Sequence, residues 1–398
     1  MRILFIGFWG ISDPLTTSTT MPNLQILQGI STVETIVLAT VERDEKEDIQ
    51  FTPSFTNHKI VFRPLISRTK QPLLLNKIDD FVRLPRELAA LVRQYDVDTI
   101  IGRGAMAGAL AYQTSKRTGV RFFVESFEPH ADYMLDSGVW KAYDPRYLFQ
   151  RRWEEKEKKL AKGLMPVAEN YRRKLIEEGV PADRIMTVSC FVDLQKFAFD
   201  AERRQQMRRQ LDFPNEAIVG IYVGKFGDIY YDAEAFDIFR AAADHFPDRF
   251  RLIILTPNPI EQVKAKLQAV GLNETNTFVT KAPHREVPAY LAAADFAFAP
   301  IKPAECRQYC SPVKVGEYWA SGLPVLLTEG VGDDSAIIKE EGGGAVFNLE
   351  RPTSVGDALQ LIEQQIALPD YRTRVRQLAE QHRSIEQAKQ AYTRFFGT

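Results

Sequence analysis

The chain runs to 398 residues with a formal net charge of −1, 45% hydrophobic residues and 26% charged ones. That length exceeds one ordinary hydrophobic core, so two domains are expected, and the balanced charge excludes a general nucleic-acid binder, which needs a basic excess. Three cysteines, Cys190, Cys306 and Cys310, give an odd count and no disulfide framework, and no Cys or His cluster beside the last two completes a zinc site. The opening run MRILFIGFWG reads as a first buried strand and not as a signal peptide or a spanning helix, so a cytoplasmic protein is expected.

From Arg2 onward short β-rich runs alternate with helical stretches, the pattern of a parallel α/β sheet. Strands are expected at 2–8, 33–40, 59–65, 99–103, 121–126, 164–168 and 185–190. Helices are expected at 22–29, 77–95, 105–118, 145–162 and 170–179. At 192–209 the pattern lapses into a bridge. A second series then opens with a strand at 217–223, followed by strands at 250–255, 277–280, 296–301 and 324–329 and helices at 231–246, 261–270 and 287–294. Two Rossmann-like domains are therefore expected, 1–195 and 196–375, with a charged helical tail over 376–398. In such sheets ligands collect beyond the carboxyl ends of the strands. That rule selects the loops Gly7–Thr16 (with Trp9 and Gly10), Arg103–Gly104, Glu125–Tyr133, Gly224–Tyr231, Thr280–His284 (with Lys281), Ile301–Ser311 and Glu329–Asp334.

The most informative stretch is Ser311–Glu329, SPVKVGEYWASGLPVLLTE. Ser311 suits an N-cap, Pro312 the first helical position and Gly322 the residue past the end. Lys314 falls in the first turn, where a cation opposes the helix dipole by ~0.3–1 kcal/mol. A bound anion at the helix start removes that conflict. Glu317, three residues on, shares the face of Lys314 and is placed to accept from a sugar or ribose diol. Gly316 inside the helix implies a close neighbour, since it costs ~1 kcal/mol relative to Ala. An ordinary surface helix with a Lys–Glu pair is the plain alternative.

Other motifs carry less. Gly224-Lys225-Phe226-Gly227 follows a strand and precedes a helix, so its amides and Lys225 suit a phosphate, while a plain strand–helix turn fits equally. Gly102–Gly108, GRGAMAG, has the glycine spacing of a dinucleotide fingerprint with Glu125 ending the next strand, but it does not follow a first strand, and packing accounts for it. Asp96 and Asp98 precede their strand, the wrong end for a ligand. Glu125, Glu128, His130 and Asp132 cluster in ESFEPHADYM after a strand, where His130 would donate to a substrate hydroxyl and Asp132 or Glu128 would accept from one; a polar loop with local side-chain-to-backbone bonds is the plain alternative. Arg68, Lys70 and Lys77 around Leu73–Leu75 form a basic–apolar patch suited to an anionic membrane surface or to ordinary packing.

Assembled, these residues resemble the retaining glycosyltransferases of the GT-B fold, family 4 in particular. The likeness is strongest over 217–341, in YVGKFGDIYYDAEAF, VPAYLAAADFAFAP and SPVKVGEYWASGLPVLLTEGVGD, and extends to AENYRRKLIEEGVPADRIMTVSCFVD. The resemblance implies two Rossmann-like domains facing a cleft, an acceptor-binding first domain, a nucleotide-sugar-binding second one and a terminal helix crossing back to the first. It implies transfer of a sugar, with retention, from a nucleoside diphosphate sugar to a glycan or lipid-linked acceptor hydroxyl, with no metal or other cofactor and with peripheral membrane contact as an option. Glu317 then matches the ribose-binding glutamate, Lys225 the basic residue that contacts the diphosphate and Lys314 the lysine of the SPxK…EY subgroup, with Gly224, Thr280, Lys281, Tyr309 and Ser311 around the donor. His130 and Asp132 take sugar-positioning roles, and Trp9, Gly10, Arg103 and Glu125 lie on the acceptor side. The family motif E-x7-E places a glutamate where this chain has Tyr309, which bears on the sugar; Glu305 would compensate only with a rearranged loop. A nucleotide-sugar epimerase and a non-catalytic partner subunit are the alternatives on this fold.

Overall fold

The computed structural model describes residues 1–13, 16–43, 51, 53, 56–67 and 73–397. The described residues form two compact units. The first comprises Met1–Ser189 with Glu386–Thr398, and the second Cys190–Ile385.

The first unit is built on a parallel sheet. Its strands are β1 Arg2–Gly7, β2 Thr35–Glu42, β3 Ile60–Phe62, β4 Leu65–Ile66, β5 Thr99–Arg103, β6 Arg121–Phe127 and β7 Gly163–Pro166. The order is β3-β2-β1-β5-β6-β7, with β4 paired to β2. Strands covered on both faces need unbroken apolar runs, and Ile3, Leu4, Phe5 and Ile6 of β1 are fully buried. Chain order reverses between β1 and β5, so the loops after Gly7 and Arg103 flank the switch point.

The second unit repeats the plan with β8 Ile218–Val223, β9 Phe250–Leu255, β10 Thr277–Thr280, β11 Phe296–Ala299, β12 Val325–Thr328 and β13 Gly344–Phe347. All pairs are parallel and the order is β10-β9-β8-β11-β12-β13, the 3-2-1-4-5-6 arrangement of dinucleotide-binding domains. One face packs Val219, Ile221, Ile253, Val315, Tyr318 and Trp319, and the other Tyr222, Phe236, Phe239, Phe296 and Phe298. The switch point lies between β8 and β11.

Several elements differ from the sequence reading. The stretch 185–190 contributes only an isolated bridge from Ile185 to Leu164, because the chain there is leaving the unit. The expected bridge at 192–209 contains a helix, Ala201–Gln210, with almost no apolar stripe to announce it. The tail is two helices. Tyr371–His382 buries Val375, Leu378 and Ala379 in the second unit's core, and Ile385–Phe396 packs Phe395 and Phe396 against Phe123 of the first. The chain therefore changes unit near 385 and not at 376. The basic–apolar patch of Arg68, Lys70 and Lys77 falls outside the described residues and side chains. Among the described residues no helix is long and apolar enough to cross a membrane.

Candidate active site

In the second unit, the loop after β8 turns at Gly224, whose φ of 149° is one that L side chains rarely adopt. The Tyr222 hydroxyl donates to the Lys225 carbonyl, and Phe226 N–H donates to Asn258 Oδ1 at 3.0 Å, so the turn is fixed from both sides. Lys225 extends outward, 48% exposed, and pairs with Asp228 at 2.6 Å. That bond and charge hold the Asp228 carboxyl below its ordinary range.

The helix Val313–Ala320 starts one residue later than expected, after Pro312, with no side-chain cap. Ser311 is occupied elsewhere: its Oγ accepts from Arg383 and, at 3.0 Å, from Cys190 N–H. The capping role expected of Ser311 is thus not what this serine does. Arg383 also pairs with buried Asp334, and its Cγ would lie 3.3 Å from a Cβ at position 316. This arginine is the close neighbour that Gly316 accommodates.

Lys314 forms no surface pair with Glu317. Its Nζ is covered, and no hydrogen-bond acceptor reaches it among the described residues. It lies 4.1 Å from the ring centroid of Tyr230 and 4.9 Å from that of Tyr222. A Cβ on Gly224 would sit 2.5 Å from it, so the glycine loop and the helix start meet at this ammonium. Burial lowers the Lys314 pKa to about 7, with the Glu317 charge opposing. Glu317 is itself buried and its Oε1 bonds His284 Nε2 at 2.7 Å. His284 Nδ1 lies 3.0 Å from Lys196 Nζ, and its ring packs 5.6 Å from that of Phe197. The sequence reading selected the loop holding His284 but not the residue; its signal was being the one histidine on a carboxyl-end loop of the second series. Thr280 and exposed Lys281 open that loop. Tyr309 is buried in the 3-10 turn Glu305–Tyr309, while Glu305 is exposed.

In the first unit, Arg103 and Glu125 form an ion pair across the ends of β5 and β6, and Asn23 Nδ2 donates to the same buried carboxylate. Trp9 is 46% exposed, with the Arg43 guanidinium 5.0 Å from its ring. Gly10 leaves room for Glu42, whose Oε1 accepts from Ile11 N–H at 2.8 Å. After β6, Ser126 at φ 51° turns the chain into the short helix His130–Asp136. Buried Glu154 accepts from Ala131 N–H at 2.9 Å at the head of that helix, and Tyr147 O–H donates to Asp132 at 3.2 Å. Burial works to lower the His130 pKa, but the hydrogen bond and charge of Glu128, with the charge of Glu154, raise it. Gly102 and Gly108 serve packing: a Cβ would meet Ala107 O at 2.6 Å in one case and Glu157 Cδ at 2.9 Å in the other. Asp96 and Asp98 hold Arg2 at the amino end of the sheet. Among the described residues no cluster of three or more His, Cys, Asp or Glu side chains is arranged to hold a metal ion.

Residues 219–364 match the family model described as glycosyl transferases group 1. No curated protein matches the sequence. The fold is similar to sucrose-phosphate synthase from Thermosynechococcus elongatus, with a TM-score of 0.74 and 14% identity over 100% of this chain and 98% of that one. It is also similar to Anabaena HepE in complex with UDP, at 0.70 and 12% over 99% of each chain. WaaG, a glycosyltransferase involved in lipopolysaccharide biosynthesis, gives 0.67 and 13% over 100% of both. The chain has the GT-B fold, and the match to the group 1 glycosyltransferase model lies within its second unit.

Proposed function

We propose that this GT-B protein, whose second unit matches the group 1 glycosyltransferase model, moves a sugar from a nucleoside diphosphate sugar to an acceptor hydroxyl of a glycan or lipid-linked saccharide, with retention of configuration. The observation that carries the reading is the Lys314 ammonium, buried without an acceptor where the glycine loop after β8 meets the start of a helix. An unpaired buried cation is costly, and a diphosphate supplies its missing partner. Lys225, exposed and paired with Asp228, would add a second positive charge. Together they would bear the charge that grows on the leaving diphosphate as the glycosidic bond breaks. Glu317 would hold the ribose. His130 and Asp132 of the first unit keep the sugar-positioning roles that the resemblance implies, and no cofactor enters the account.

Anabaena HepE is known in complexes with UDP and with UDP-glucose, so uridine donors come first in the test. Thermal melting is followed with UDP, GDP, CDP and ADP and their sugars, each with and without excess chelator. One nucleotide series is expected to raise Tm by mass action, unaffected by chelation. No response from any member overturns the donor reading, and loss of the response on chelation overturns its metal-free form. Release of sugar from the responsive donor separates a transferase from a silent subunit.

A further inference from the structure

The Glu317 carboxylate is not held by either lysine of its neighbourhood but by a histidine. His284 Nε2 lies 2.7 Å from Glu317 Oε1, and Nδ1 lies 3.0 Å from Lys196 Nζ. An ammonium has three donors and no acceptor, so Nδ1 must accept. In neutral imidazole the proton then resides on Nε2, which donates to Glu317. Lys196 thereby sets the tautomer, much as second partners fix the ring nitrogens of metal-bound histidines. The Phe197 ring packs beside the imidazole at a tilt of 52°. Oε1 is committed to this bond, which leaves Oε2 for a ligand.

We propose that His284 is a positioning residue for nucleotide recognition, holding Glu317 through Nε2–H so that its second carboxylate oxygen meets a ribose diol. The inference rests on the reading of Glu317 as the ribose contact. Carboxylates that accept a diol need a fixed plane, because both hydroxyls donate along defined lone-pair directions. A free glutamate on a helix would have to be ordered at each binding event, at a cost in affinity.

The test uses the full chain and titrates UDP, GDP, CDP and ADP, together with the 2′,3′-dideoxy form of whichever binds. Glutamine carries its amide near the place of imidazole Nε2 and asparagine near that of Nδ1, so His284→Gln keeps a donor for Glu317 while His284→Asn and His284→Ala do not. The expected result is a loss on the order of tenfold in affinity for His284→Asn and His284→Ala, typical of a hydrogen bond to a charged group, with His284→Gln close to the parent. The dideoxy nucleotide should bind the parent and His284→Ala alike, and donor KM should rise with kcat unchanged. If His284→Ala binds normally while Glu317→Gln is weakened, the inference fails and the ribose reading survives. If neither change matters, or no nucleotide binds, the ribose reading fails and takes the inference with it. Equal losses for His284→Gln and His284→Ala, or an equal loss for the dideoxy ligand, reduce His284 to packing and overturn the proposal. Melting curves check that each variant folds.

Discussion

Lys314 and Glu317 lie three residues apart on one helix, yet changing them should affect different steps. On the proposed function the Lys314 ammonium would meet charge that grows in the transition state, so Lys314→Met should lower kcat by ~100–1000-fold, the loss typical of one preorganised electrostatic contact. On the same proposal Glu317 would meet ribose hydroxyls that change little during reaction, so Glu317→Gln should chiefly raise donor KM. With a pKa near 7, Lys314 is partly neutral in the free protein at neutral pH. A bound diphosphate favours its charged form, so binding at pH 8 should take up protons, seen as a dependence of the calorimetric heat on buffer ionisation enthalpy. Uptake should vanish in Lys314→Met. Zero uptake in the parent, or near-normal kinetics in both variants, would remove this helix from the active site. Lys314 was legible in the sequence because a first-turn lysine conflicts with the dipole. Its burial between two tyrosines was not, since Tyr222 and Tyr230 come from another part of the chain.

The helix Ala201–Gln210 shows how a structural element can escape a pattern reading. AERRQQMRRQ has no apolar face to bury, and only Met207 and Arg208 are buried. What fixes it is charge. Arg204 and Arg208 pair with Asp295 at 2.6 and 2.7 Å, and the same carboxylate accepts from Val219 N–H at 2.8 Å. Both arginines also donate to the Ala293 carbonyl, at the end of the helix Val287–Ala293, where cations are favoured. Asp295 thus ties this helix to the opening of β8 and the entry to β11. Removing it strands the buried Arg208 guanidinium, so Asp295→Ala should cost about 3–5 kcal/mol of the second unit's stability in denaturant unfolding. A loss under ~1 kcal/mol would mean that the carbonyls alone hold the helix. The strands β5 and β9, by contrast, fall where the sequence places them, because both are almost wholly buried and read as apolar runs. Ser311 misled for a local reason: its hydroxyl has the chemistry of a cap, but Arg383, distant in sequence, takes it.

At the scale of the whole molecule, each unit carries its own buried titratable group, and the two respond to pH over different windows. In the first unit burial pushes the Glu154 carboxyl up to about 7, against the hydrogen bonds from Gln150 and Ala131, and pushes Glu157 well up too. Both Glu157 oxygens are buried without a hydrogen-bond partner among the described residues. A raised acid pKa means that the native state binds protons the unfolded chain has released. The stability linked to Glu154 is therefore complete below its ordinary pKa of 4.5 and is lost as pH rises through about 7. Lys314 in the second unit is the reverse case. Its pKa falls from 10.5 to about 7, so the stability linked to it is complete above 10.5 and is lost as pH falls toward 7. The first unit should lose on the order of 2–3 kcal/mol between pH 5 and pH 7.5, a fall of about 5–10 °C in its Tm, while the second should gain from pH 7 to pH 9.5. Calorimetric scans across that range test both, with Glu154→Gln expected to flatten only the first trend and Lys314→Met only the second. A responsive nucleoside diphosphate should also remove the second trend, since it gives the ammonium a partner and restores its pKa toward the ordinary value. If both transitions shift together in every variant, the two buried groups do not act on separate cores and this account of the chain's pH response is wrong.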